Sequence, residues 1–239
     1  MPEEGSRSNV EVAKPTQPQQ MMVLLERIHP YERNPRQGNN PEYDRIKASI
    51  RATGLDQPLT ITQRPGATDY IVHSGGNTRL RVLKSLYEET GDDRYATVTC
   101  LFKPWHCESE VLLAHLREND LRGGLTFIDK ARAILDIKAL LEAECDTEEL
   151  SLSRLQSALQ QGGYALSRSL ISRMGYAVQT LLPLIPQAMN AGLGRPQVQK
   201  IRALERAARQ VWQSHELGAD TTFDPVFSAL CQRYDHPDW

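Results

Sequence analysis

The sequence is poor in cysteine, and its four thiols, Cys100, Cys107, Cys145 and Cys231, form no CxxC pair. Thiols so far apart argue against a metal knuckle and against a disulfide framework. Six histidines include no HExxH, and His106 beside Cys107 reads as a loop residue rather than a ligand. No apolar run is long enough to span a bilayer. The N-terminus, MPEEGSRSNVEVAKPTQPQQ, lacks the basic start and apolar core of a secretory signal. A cytoplasmic protein with no membrane partner is expected. There is no internal repeat, and the net charge is only −2.

The distribution of charge says more than its sum. Between Ser151 and Gln213 stand Arg154, Arg168, Arg173, Arg195, Lys200, Arg202, Arg206 and Arg209, against the single acid Glu205. Basic residues gathered in this way are the footprint of a polyanionic partner, although a solvated basic face has the same composition.

Residues 1–20, rich in Pro, Gln, Ser and Glu, predict a disordered tail. Strand-like runs then alternate with helical patterns. MVLL, PLTITQR, YIVHS and ATVTCLF are β-branched and apolar. PEYDRIKASIRATG predicts a helix with Tyr43, Ile46 and Ile50 on one face and Gly54 at its end. A second helix runs from Asn77 to about Glu89, with Leu80, Leu83 and Tyr87 as its stripe and Leu86 beside it. After Glu108 strand signals stop. Thr126 with Asp129 resembles a capping box opening a helix through Ala133, Leu140 and Leu141. The acidic stretch at 142–149 reads as a turn or linker. Ser153 with Gln156 repeats the capping pattern ahead of a buried stripe of Leu152, Leu155 and Leu159. GlnGlyGlyTyr at 161–164 breaks that helix. Ser167 caps the next, with Leu170, Ile171, Met174 and Val178 inward, and two helices follow at about 183–192 and 195–214. The expected organisation is a tail (1–20), an α+β domain (21–122), an all-α DNA-binding domain (123–215) and a C-terminal segment (216–239).

Three constellations carry chemistry. Helix, glycine-containing turn and helix across 152–178 have the span of a helix-turn-helix, whose second helix enters the major groove. Its outward residues are Arg168, Ser169, Ser172 and Arg173, and with the cap Ser167 they are the DNA-binding candidates. Arginine reaches guanine edges or neutralises phosphate, and serine suits either. Any helical hairpin shares this outline. The second constellation is HisSerGlyGlyAsnThrArgLeuArg at 73–81, between a strand and a helix. Gly75 and Gly76 permit close backbone approach, the helix start offers amides to a phosphate, and Asn77, Thr78, Arg79 and Arg81 add donors. A strand–glycine–helix turn also occurs with no ligand, and this one is neither a Walker A loop nor a GxGxxG fingerprint. The third is ArgGluAsnAspLeuArg at 117–122. Glu118 and Asn119 offer oxygens suited to magnesium and Arg122 a phosphate contact, on what is otherwise a polar helix end.

Together these segments resemble the ParB family of partition proteins. SerIleArgAlaThrGlyLeuAspGlnProLeuThrIle (49–61) is similar to the family stretch S-I-x-x-x-G-[LI]-x-Q-P-[LI]-x-[VI]. GlyAsnThrArgLeuArg (76–81) occupies the place of G-E-R-R-x-R, and GluAsnAspLeuArg (118–122) matches E-N-x-x-R. LeuIleProGlnAlaMetAsnAlaGlyLeuGlyArgProGlnVal resembles the segment beyond the helix-turn-helix, so the likeness runs from about 22 to 210. The form with GlyAsnThrArg is similar to versions on plasmids and integrative conjugative elements. The resemblance implies a cytidine triphosphate (CTP) with Mg2+, its phosphates at Gly75, Gly76, Asn77, Thr78, Arg79 and Arg81, the metal at Glu118 and Asn119, and Arg122 nearby. It implies nucleoid association, a palindromic duplex DNA site, a homodimer and a ParA-type ATPase partner. Two departures stand out. Asn77 and Thr78 replace the usual Glu and Arg, which puts CTP hydrolysis in question. The chain ends at Trp239, leaving little length for the family's separate dimerisation domain. Alternatives are a transcriptional repressor with no nucleotide cycle and a nuclease of the same fold. A sulfiredoxin needs Cys in the glycine box, where this chain has Asn77.

Overall fold

The computed structural model describes residues 17–36, 40–215 and 222–236. It divides into two compact units, Met1–Pro30 with Asp44–Trp105, and Tyr31–Tyr43 with His106–Trp239. Most of the expected tail lies outside the described residues.

The first unit is a five-stranded mixed sheet with two helices. Strand β1 (Gln19–Leu24) begins the sheet, and β2 (Ile28–His29) follows after one 3₁₀ turn, Leu25–Arg27. Helix α1 (Tyr43–Thr53), β3 (Leu59–Thr62), β4 (Tyr70–Val72), α2 (Asn77–Thr90) and β5 (Thr97–Phe102) complete it. The strand order is β1-β5-β3-β4-β2. β1 pairs antiparallel with β5, and β3 lies parallel to β5 and antiparallel to β4. All four sequence-predicted strands are present. The two-residue β2 is too short to carry an alternation that a sequence pattern could reveal.

Leu59, Ile61, Val72, Leu80, Val82, Leu86 and Cys100 are fully enclosed and form the core of this unit. Tyr87, expected on the buried stripe of α2, is 40% exposed. The buried arc of α2 covers Asn77, Leu80, Val82, Leu83 and Leu86, wider than a single stripe, and Tyr87 falls outside it. Helices α1 and α2 are joined by Lys47, which donates to Ser85 Oγ at 2.9 Å, and by Arg51, paired with Glu89 at 2.7 Å.

The second unit is helical: α3 (Glu108–Leu121), α4 (Phe127–Glu144), α5 (Leu152–Gln161), α6 (Arg168–Tyr176), α7 (Leu182–Leu184), α8 (Pro186–Asn190), α9 (Arg195–Ser214) and α10 (Phe223–Arg233). A single π turn, Ala177–Leu181, follows α6. Leu112, Leu116, Ile128, Ile134, Ile137, Leu155, Leu159, Ile171 and Met174 pack its interior.

The capping box at α4 forms as its spacing predicts. Asp129 N donates to Thr126 Oγ1 and Thr126 N to Asp129 Oδ2, each at 3.2 Å. The acidic stretch is helical further than expected. Glu142 pairs with Lys138 at 2.8 Å and accepts Leu150 N at 2.7 Å, so α4 persists to Glu144. The cap of α5 is Ser151, not Ser153, because the extended backbone of Ser151 turns its hydroxyl onto Arg154 N at 3.3 Å. Leu152 therefore opens the helix and is 41% exposed instead of lying in the buried stripe. Ser167 caps α6 by accepting Leu170 N at 3.2 Å. Of the expected inward face of α6, Ile171 and Met174 are buried, while Leu170 and Val178 are half-buried. The helix expected at 183–192 is split at Ile185, since Pro186 supplies no N–H and forces Ile185 out of the helical region (φ −133°, ψ 58°).

Candidate functional site

Two places collect the residues singled out by the sequence, one in each unit, with the 117–122 box as a third group.

In the second unit, α5, a glycine turn and α6 form a helical pair. Gly162 and Gly163 end α5, with Gly163 in the left-handed region at φ +79°. Gly162 has a reason beyond the turn, whereas Gly163 is required by its backbone, since the Arg117 tip beside it can give way. A Cβ on Gly162 would stand 2.1 Å from Leu113 Cδ2 of α3, and one on Gly163 2.9 Å from Arg117 Nη1. Arg117 Nη1 donates to Gly162 O at 2.9 Å, and Tyr164 Oη donates to Asp120 Oδ2 at 2.7 Å. The turn is thus seated on α3, which sets how α6 is presented. Burial and the Asp120 carboxylate both push the Tyr164 hydroxyl well above its usual range.

Arg168, Ser167 and Ser169 are exposed at the start of α6, with Ser172 and Arg173 half-buried one turn on. Helix α9 lines the other side of an open groove of about 370 Å³ between Ser169, Ser172 and Arg173 and α9's Gln199, Arg202 and Arg206. Arg173 donates from Nε to Ser169 O and from Nη1 to Gln199 Oε1, each at 3.1 Å. Arg202 Nη1 donates to Ser172 Oγ at 3.1 Å, and its guanidinium lies 5.1 Å from the Tyr176 ring. Arg209 is committed elsewhere, to Glu205 at 2.8 Å and Asp224 at 2.6 Å. Arg154, Arg168, Arg195, Lys200 and Arg206 are exposed and make no side-chain ion pair among the described residues. Arg173, Arg202 and Arg206 line the groove itself, and with no acid among its lining residues it is attractive to a polyanion.

Sequence reasoning did not place Gln199 in the site. Arg195, Gln199, Arg202 and Arg206 recur at spacings of three and four, so one polar face of α9 was there to be read. Which helix that face meets was not.

In the first unit, Gly75 (φ +51°) and Gly76 (φ +87°) turn the chain from β4 into α2. The backbone at φ +87° requires glycine at Gly76, and a Cβ there would also crowd Leu59 Cδ2 at 3.0 Å. Asn77 is buried, Thr78 and Arg79 are half-buried, and Arg81 is exposed. The first turn of α2 holds no acidic side chain, and its opening amides form the helix end of positive potential. This is chemistry that suits a phosphate. Arg79 donates to Gln57 O at 2.9 Å, which ties α2 to the loop before β3.

The 117–122 box ends α3 in the second unit, with Arg122 as its cap residue. Glu118 is paired with Arg122 at 2.5 Å, and Asn119 Nδ2 donates to Asn34 Oδ1 at 2.9 Å. Asn119 Oδ1 therefore remains available as an oxygen donor, while Glu118 would exchange its arginine for an ion. No cluster of three or more His, Cys, Asp or Glu suited to a metal occurs among the described residues. No helix among them is long and apolar enough to cross a membrane.

No protein-family model and no curated protein matches the sequence. Solved structures do. The C2221 crystal form of the pNOB8-like ParB N-domain aligns with TM-score 0.54 and 16% identity, covering 91% of this chain and 92% of that one. A second structure of the pNOB8-like ParB N-domain aligns with TM-score 0.50 and 16% identity, covering 84% of this chain and 77% of that one. A C-terminally truncated ParB from Caulobacter crescentus complexed with CTP-γ-S gives TM-score 0.36 and 18% identity, covering 77% and 92%. The fold is that of ParB N-domains.

Proposed function

We propose that this chain, built on the ParB N-domain fold, is a sequence-specific DNA-binding protein of the ParB type. Its role would be in partition of a plasmid, chromosome or mobile element, with a nucleotide bound in its first unit. The observation that carries the reading is the cationic groove between α6 and α9 in a protein of that fold. DNA presents a dense line of negative charge, and exposed arginines that hold no acid release counterions when they meet it. The α5–α6 pair acts as the helix-turn-helix. Its second helix enters the major groove, with Arg168 and Arg173 at phosphates or guanine edges and Ser167, Ser169 and Ser172 supporting them. A palindromic site, a homodimer and a ParA-type ATPase partner rest on the sequence resemblance.

The nucleotide reading rests on the glycine turn. Gly75 and Gly76 let the backbone approach a phosphate that the opening amides of α2 would hold, with Thr78, Arg79 and Arg81 as further donors. A triphosphate supplies the anionic oxygens and the hydrolysable bond. CTP with Mg2+ follows from the resemblance, in which Glu118, Asn119 and Arg122 serve the metal and phosphates. The two parts are tested separately. Selection from a library of random duplexes should recover one palindromic sequence whose affinity falls steeply with salt. Calorimetry with each of the four ribonucleoside triphosphates, magnesium and that duplex should give heat with CTP first. Recovery of no consensus would remove the DNA reading; absence of heat with every triphosphate would leave the glycine turn structural.

A further inference from the structure

We propose that Gln199 of α9 is a positioning residue for DNA readout. It holds the Arg173 guanidinium in one orientation, so that site choice depends on a helix outside the helix-turn-helix. The inference rests on the DNA-binding reading above.

A guanidinium has five N–H donors. In Arg173, Nε donates to Ser169 O, one Nη2 hydrogen to Ser169 Oγ, and one Nη1 hydrogen to Gln199 Oε1. Three donors are spent, and one remains on each terminal nitrogen. Two donors are what the O6 and N7 edge of guanine accepts. Ser169 is one turn away on α6 itself and can fix only the Nε edge. Gln199 lies on α9, 26 residues along the chain, and holds the other terminal nitrogen, Nη1, at 3.1 Å. Arg202 adds a second link from α9 to α6 through Ser172 Oγ at 3.1 Å. A free arginine must be ordered when it meets a base, at an entropic cost. One already held at both terminal nitrogens escapes most of that cost. Gln199 carries no charge, so its loss removes no attraction for phosphate. That separates positioning from direct contact.

The test uses the full chain and a duplex that the wild-type protein selects from a random library. Affinities of Gln199→Met, Arg173→Ala and the double variant are measured at several salt concentrations, on that duplex and on a scrambled one. Gln199→Met keeps the length of the side chain but removes its acceptor, and it is exposed, so the thermal midpoint should not move. Affinity for the selected duplex should fall roughly three- to tenfold. Scrambled-duplex binding and the salt slope should be unchanged, and Gln199→Met should cost nothing further in Arg173→Ala. A loss that adds to that of Arg173→Ala, or a shallower salt slope, would show Gln199 touching DNA itself and overturn the inference. So would full affinity in Gln199→Met while Arg173→Ala binds weakly, an outcome that leaves the DNA reading intact. If the wild-type protein selects no duplex, that reading fails and the inference fails with it.

Discussion

Arg168 and Arg173 sit five residues apart on α6 and differ in their freedom. Arg168 is exposed and holds no partner among the described residues, whereas Arg173 is tied to Ser169 and Gln199. An untethered guanidinium suits phosphate and a tethered one suits a base edge. Arg168→Ala should therefore shallow the salt slope of DNA binding by about one unit. Arg173→Ala should cost roughly 1–3 kcal/mol on the selected site and relax selectivity at one base pair. Unchanged affinity and slope in both variants would take α6 out of the interface. Asn77 poses the other residue-scale question. It is buried behind two left-handed glycines, in the place where the resembled box carries Glu. An amide can orient water but cannot accept its proton. Bound triphosphate should accordingly be hydrolysed slowly, and Asn77→Glu should speed phosphate release by up to roughly 10²–10⁴-fold, the usual worth of general-base help. Brisk wild-type release that Asn77→Glu leaves unchanged would sink the idea.

At the scale of elements, the seat of the α5–α6 turn on α3 decides how α6 is presented. Gly162→Ala would drive a methyl into Leu113, costing about 1–3 kcal/mol in urea unfolding as overpacking does. Trimming the neighbour with Leu113→Ala should recover part of that loss in the double variant; additive losses would show the two side chains do not compete. Asp120 ties the same region together. Burial alone would raise its carboxyl, but the Lys130 ammonium and the Tyr164 hydroxyl more than offset this and hold it below the ordinary carboxylate range. A carboxyl lowered in the folded state contributes stability that is present above its unfolded value, near 3.9, and lost as pH falls through the folded one. Asp120→Asn should flatten the acid limb of a stability–pH curve below about pH 4; an identical limb in both proteins would rule the linkage out. These contacts also show where element-level reading from sequence stops. The caps Thr126 and Ser167 were legible because a cap is local chemistry. At α5 the same pattern pointed to Ser153 and missed Ser151, because the cap is chosen by the extended backbone of Ser151, which a residue pattern does not show.

The whole molecule carries a net charge of −2, yet the face built from α6 and α9 is basic. On the proposed DNA-binding reading a polyanion meets this basic face of a chain whose net charge is negative, so affinity should fall steeply with ionic strength. Mapping of bound DNA across the genome distinguishes the roles open to it. One cluster of sites beside a gene for a ParA-type ATPase is the expected result, and sites scattered over promoters would instead indicate a repressor.

The sequence by itself determined the four longer strands, the helices α1, α2, α4, α5, α6 and α9, the caps at Thr126 and Ser167, the glycine breaks and the gathering of basic residues after Ser151. Each of these is a local or compositional property, carried by periodicity and by side chains acting within one turn. Tertiary structure alone decided the strand order β1-β5-β3-β4-β2, the seat of Gly162 on Leu113, and the pairing of Arg173 with Gln199. The physical reason is range. Gln199 and Arg173 are 26 residues apart, and no propensity, period or cap chemistry links two positions at that separation until their helices pack side by side.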